Sequence, residues 1–265
     1  MKQLFFMTML FLTISYCSQK NSVIKAQRME KASMKDFKMP KMKFEVEDKE
    51  SSGSELYRKL VPDSEGLLTE LTEEVIDAIY FKDSEVVPQP QEIKLVLYCQ
   101  KDAVAATSSR NGRSLIRYST DWIEKFYARA NNDEAKVLNE TKGVLLHELV
   151  HVFQLQPQGI GNYGGGGEYW LLIEGLADAV RVATGYFKPE DRPRGGEFKK
   201  GYRYSGFFLN WLREVKDKDF LRKLNLSTRT INPWSFDAAF KQILNDDNIT
   251  LEALWDEYMT AIGDR

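Results

Sequence analysis

The chain has 265 residues, 43% of them hydrophobic and 12% aromatic, with a formal net charge of -2. That length buries a sizeable core and suits one main domain with an N-terminal extension. The near balance of charge lacks the basic excess that phosphate backbones attract, which argues against a nucleic-acid partner, and two cysteines are too few for a disulfide framework.

In chain order, the first residues read as a targeting signal. Met1-Lys2 gives a positive start, Leu4 to Ile14 is an almost unbroken apolar run, and Cys17 follows Ile14-Ser15-Tyr16. The run falls short of the roughly 20 apolar residues of a membrane-spanning helix. Cys17 stands where bacterial lipoproteins are cleaved and acylated, although Tyr16 occupies a position that usually holds a small residue. Residues 1–17 are therefore expected to be an export signal of lipoprotein type. The protein is expected at the outer surface, in the periplasm or secreted, touching a membrane only through a lipid anchor at Cys17. Residues 18–53, rich in Lys, Ser, Met and Glu, are expected to be a flexible linker, with the folded domain over 54–265.

Between Ser54 and Phe81 the positions Leu56, Leu60, Leu67, Leu68, Leu71, Val75, Ile76 and Ile79 recur at helical spacing. Pro62 breaks the run, so one long helix preceded by a short one is expected. Ile93 to Tyr98, Val104 to Thr107 and, after the turn Asn111-Gly112, Ser114 to Ser119 read as strands. Cys99, next to the first of these, is expected to be a buried small hydrophobe. Helical patterns then occupy 121–130, 134–155, 168–184, 202–215, 235–245 and 250–262. The fold class is α+β: a small N-terminal mixed sheet followed by a helical C-terminal half.

The helix over 134–155 contains His147-Glu148-Leu149-Val150-His151, and these are the only two histidines in the chain. Four residues apart on a helix, they present two imidazole nitrogens to one tetrahedral ion, with Glu148 on the adjoining side. Leu145, Leu146, Leu149, Val150, Val152 and Phe153 wrap the pair in apolar side chains. This pattern points to a zincin-like metallopeptidase domain with Zn2+ as cofactor. A catalytic zinc takes three protein ligands, and no third histidine exists. Glu174, inside the apolar run Trp170 to Asp178, is the leading candidate, with Asp178 one turn later supporting a histidine. Two rival arrangements stay open: Asp178 as the ligand with Glu174 supporting it, or Glu174 paired with Arg181. Glu168, at the start of that helix, is a lesser candidate.

Three stretches, His147 to Gln154, Ile173 to Arg181 and Gly201 to Leu209, together with the closing Leu254-Trp255-Asp256-Glu257-Tyr258, resemble the plant-type basic secretory protein family. The resemblance runs over roughly residues 90 to 263. It implies a zinc metallopeptidase of gluzincin-like fold, secreted in plants and present also in bacteria. The mild acidity of this chain and its lysine-rich N-terminal region have no counterpart there. Tyr202 and Tyr204 lie where the family has an aromatic position after glycine, which makes both candidates for lending a phenolic hydroxyl to an oxyanion.

The expected activity is zinc-dependent peptide-bond hydrolysis on a peptide or protein substrate, with zinc on His147, His151 and Glu174 and with Glu148 as general base and acid. Two other classes fit the same residues. One is a non-catalytic surface lipoprotein that keeps the scaffold for binding through the glycine-rich stretch Gly159 to Gly167 and Tyr163. The other is hydrolysis of a non-peptide amide.

Overall fold

Six alternating residues, Lys41-Met42-Lys43-Phe44-Glu45-Val46, form strand β1 (Lys41–Val46), the first element among the described residues. The computed structural model describes residues 37–83, 86–164 and 167–265. The elements below all belong to one compact unit, Met39–Phe81 with Val86–Arg265. The expected export signal, residues 1–17 with Cys17, lies outside the described residues. The expected linker, 18–53, needs correction over its described end, because β1 lies within it and helix α1 (Ser52–Leu60) begins at its edge. Met42 is buried and Phe44 stacks on Tyr57 at 5.5 Å, while the intervening lysines face outward and give the segment its linker-like composition.

Helix α2 (Ser64–Ile79) follows Pro62, its first turn capped by the Asp63 carboxylate, which accepts from Gly66 N at 2.8 Å. Strands β2 (Glu92–Tyr98), β3 (Ala105–Arg110) and β4 (Arg113–Ser119) complete a four-stranded mixed sheet in the order β1-β2-β4-β3. β1 and β4 each run parallel to β2, while β3 is antiparallel to β4. Asn111 (φ 52°) and Gly112 (φ 72°) both take the left-handed conformation that a two-residue hairpin turn demands. This hairpin puts β3 at the edge of the sheet. Cys99, the first residue past β2, is exposed rather than buried, because the strand's inward alternation has ended at Leu97.

Helices α3 (Thr120–Arg129), α4 (Glu134–Phe153), α5 (Glu168–Ala183), α6 (Tyr202–Val215), α8 (Phe236–Leu244) and α9 (Leu251–Ala261) match the expected helical stretches, and α7 (Phe220–Thr230) adds one that the periodicity did not reveal. The apolar face of α7 is interrupted: Asn225, Ser227 and Thr228 are as buried as Phe220, Leu221 and Leu224. Asn225 donates to Ile79 O at 3.1 Å and accepts from Leu155 N at 2.9 Å, while the Tyr80 hydroxyl donates to Phe153 O at 2.6 Å. These bonds fasten the C-terminal end of α4 to α2 and α7. Phe198, Phe208, Phe236, Phe240, Trp255 and Tyr258 pack edge-on and tilted beneath α6, α8 and α9. No helix among the described residues is long and apolar enough to cross a membrane.

α5 and α6 approach each other closely. A Cβ at Gly206 would lie 2.7 Å from Asp178 Cβ, and one at Gly175 would lie 2.7 Å from Ser205 Oγ. Gly206→Ala is accordingly expected to cost about 1–3 kcal/mol by overpacking, read as a lower urea midpoint; an unchanged midpoint would show that the two helices are not held this closely.

Candidate metal centre

α4 and α5 lie antiparallel, and their facing sides carry a ladder of polar pairs. Glu140 and Arg181 meet at 3.0 Å, His147 Nδ1 and Asp178 Oδ1 at 2.8 Å, His147 Nε2 and Glu174 Oε2 at 3.1 Å, and His151 Nε2 and Glu174 Oε2 at 3.7 Å. Positions 140, 147 and 151 of α4, and 174, 178 and 181 of α5, follow the three- and four-residue spacing that puts side chains on one face of a helix. Glu174 and Asp178 are only 4% and 3% exposed. Carboxylates this deep need partners, and the imidazoles supply them.

The ligand atoms of His147, His151 and Glu174 all lie within 4.8 Å of one another. Two imidazoles and a carboxylate form the donor set of a tetrahedral site with an open fourth position. Asp178 accepts from Nδ1 of His147, which leaves Nε2 to face Glu174. Gln154, the residue that caps the C-terminal end of α4, donates from Nε2 to Nδ1 of His151 at 2.7 Å, while its Oε1 is buried with no partner among the described residues. Turning that amide by half a revolution would put the oxygen on an Nδ1–H and free the lone pair of Nε2 for an ion. The residues present fit a metal ion. Arg181 is committed to Glu140, so the Glu174–Arg181 pairing weighed from the sequence does not form. Glu168 begins α5 and accepts from Phe236 N at 3.3 Å.

Burial opposes a charge on His147, yet hydrogen bonds to Asp178 and Glu174 and the nearby carboxylates outweigh it and raise the group to about 10. Burial likewise opposes ionisation of Glu174, but its bonds to His147 and His151 hold the carboxyl well below the usual range. Without a metal, the centre is an imidazolium between carboxylates.

The centre opens into a cleft of about 790 Å³ that is lined also by Val104 and, on β3, by Ala105, Ala106, Thr107 and Ser109. Glu148 is buried in this cleft and accepts from Thr107 Oγ1 at 2.7 Å; the same hydroxyl lies 3.1 Å from the Glu148 carbonyl oxygen. Tyr202 sets its ring parallel to His147 at 6.2 Å and edge-on to Trp170 at 5.3 Å. Its backbone is left-handed (φ 43°), an uncommon state for tyrosine, following Gly201 (φ 66°), where a Cβ would strike the Trp170 ring at 2.4 Å. Burial and then the charges of Glu174, Asp178 and Glu148 push the Tyr202 phenol up to about 12, which keeps it a hydrogen-bond donor. Tyr204 is a correction: it does not line the cleft. Two residues turn a helix by about 200°, and the Tyr204 ring packs on Gly196 with Lys200 Nζ 5.1 Å from its centre.

The sequence reading had no role for Thr107, a hydroxyl in a strand of alanines and serines. Tyr163 entered only as an exposed aromatic that could serve binding in the non-catalytic alternative. Although 53% exposed, Tyr163 donates its hydroxyl to Glu174 Oε1, and burial and then the Glu174 carboxylate raise its phenol above the usual range.

The model of a family described as a peptidase of plants and bacteria, BSP, matches residues 39–258. The chain belongs to this family. The BSP match contains the resemblance to basic secretory proteins at 147–154, 173–181 and 201–209, and it takes in β1. No curated protein and no solved structure matches the chain significantly.

In this BSP chain the His147, His151 and Glu174 group can hold one metal ion. One divalent ion per chain is expected by elemental analysis of the full protein, lost in His151→Ala and Glu174→Ala and weakened about 10–100-fold in Asp178→Ala, as for a residue that orients a ligand. Retention in Glu174→Ala with loss in Asp178→Ala would reverse the two roles.

Proposed function

We propose that this protein is a zinc-dependent peptidase of zincin-like fold, exported by its N-terminal signal. The observation that carries the reading is the convergence of His147, His151, Glu174 and Glu148 on one cleft walled by an edge strand. The two histidines and Glu174 would hold the zinc, which when bound would supply Lewis acidity towards a scissile carbonyl and lower the pKa of water in the cleft. Among the described residues β3 pairs on one side only, with β4, and its other edge offers backbone groups to an extended peptide. Glu148 accepts the proton of the attacking water and returns it to the departing amine. Thr107 fixes the carboxylate for that task through Oε2 and leaves its other oxygen to face the reacting water. The phenol of Tyr202, held over His147 by Trp170, donates to the carbonyl oxygen as negative charge gathers on it.

Metal-loaded full-length protein is expected to hydrolyse peptides. Glu148→Gln should lower the rate by about 10²–10⁴-fold, the usual contribution of a general base, with metal content intact. Thr107→Val should cost about tenfold in kcat, in keeping with loss of a hydrogen bond to a charged group. Full activity in Glu148→Gln would remove the assigned base. Metal uptake without hydrolysis of any peptide or amide would instead favour the non-catalytic binding protein.

Protons and metal compete at His147. With the group raised from 6.5 to about 10 in the metal-free protein, the imidazolium persists at neutral pH and must shed its proton on coordination. Zinc uptake at pH 7 should release about one proton from this group, and apparent affinity should rise with pH until about 10. Calorimetry in two buffers of different ionisation heat measures the release; none would show that His147 is already neutral.

A further inference from the structure

Besides the two histidines, six acidic or basic side chains line the cleft, and five are accounted for. Glu148 is held by Thr107, Glu174 and Asp178 by His147, and Glu140 and Arg181 by each other. The sixth, Arg203, is exposed and has no carboxylate partner among the described residues; its guanidinium rests over the Phe187 ring, 4.7 Å from the centroid. Phe187 is buried and also carries the Arg181 guanidinium at 3.7 Å. The aromatic face fixes the position of Arg203 and satisfies none of its N–H donors, an arrangement suited to the planar, two-pronged grip on a carboxylate that arginine makes. Arg203 lies in the first turn of α6, which contains no acidic side chain and adds partial positive charge from its free N–H groups.

Its place along the cleft sets the register. Arg203 follows Tyr202, whose ring lies beside His147, and reaches Phe187 on the Arg181–Glu140 side. Glu140 is two turns of α4 ahead of His147, roughly 10 Å. A group bound there lies within about three residues of the scissile bond on an extended chain.

We propose that Arg203, steadied on Phe187, is a carboxylate-binding subsite of this cleft, taking an acidic side chain or the C-terminal carboxylate of the substrate. The inference rests on the peptidase reading and is tested by binding, so that the two can fail separately.

The experiment uses full-length, zinc-loaded protein carrying Glu148→Gln, to prevent turnover, and three labelled peptides of one sequence. The first has a Glu side chain and an amidated end, the second Gln and an amidated end, the third Gln and a free C-terminal carboxylate. At least tenfold tighter binding of the first or third over the second is expected. The ratio should fall towards one when Arg203→Gln is added, be partly restored by Arg203→Lys, and invert with Arg203→Glu. Preference for the first peptide assigns the subsite to an acidic side chain, and preference for the third to a chain terminus. Equal binding of all three, or a ratio untouched by Arg203→Gln, would overturn the proposal. A ratio that behaves as expected, while Glu148-intact protein cleaves nothing, would overturn only the peptidase reading.

Discussion

Two helices that bury charge against each other set the terms for the rest of this molecule. α5 and the second half of α4 are mostly buried, yet between the two helices lie Glu140, Arg181, His147, Asp178, Glu174 and His151. Each of these groups is costly in an apolar contact and tolerable only with its neighbour in place; removing one partner of a buried charged pair typically costs about 3–5 kcal/mol. The ladder therefore fixes the rotation of both helices. Once that rotation is set, Nε2 of each histidine faces the Glu174 carboxylate. The glycines at 175 and 206 bring α6 close behind α5 and hold Tyr202 and Arg203 at the mouth of the same cleft.

Much of this centre was legible because helical spacing is strict. Histidines four apart share a face whatever surrounds them, and carboxylates at 174 and 178 inside a run of leucine, isoleucine and alanine demand buried partners. The order sheet-then-helices could also be read, since β2, the Asn111-Gly112 turn and the helical repeats from residue 120 onward each carry a local pattern. What escaped was polar or weakly patterned. β1 does alternate, but its outward positions are Lys41, Lys43 and Glu45 in a lysine-rich surround. α7 buries Asn225, Ser227 and Thr228, which breaks the apolar period. Thr107 acts through one hydroxyl, and its partnership with Glu148 spans 41 positions of sequence.

Tyr204 and Cys99 show the same limit from the other side. A residue type suited to a role was present near the right place, but two steps along a helix or one past a strand end changed which way it faced. Tyr202 and Tyr204 are indistinguishable by composition; the positive-φ turn at Gly201 and Tyr202, where the Trp170 ring leaves room only for glycine at 201, decides between them.

The two bonds of Asn225 reach Ile79 in one direction and Leu155 in the other, across 146 and 70 positions of chain. His151 and Gln154 therefore sit on a helix end anchored by segments from both ends of the domain. The five-residue signature is thus not a portable unit. A segment excised around it, or a chain ending before α7, would keep every letter of the motif and lose the anchorage that aims it, so recognising such a signature in a fragment says little unless the distant asparagine is there too.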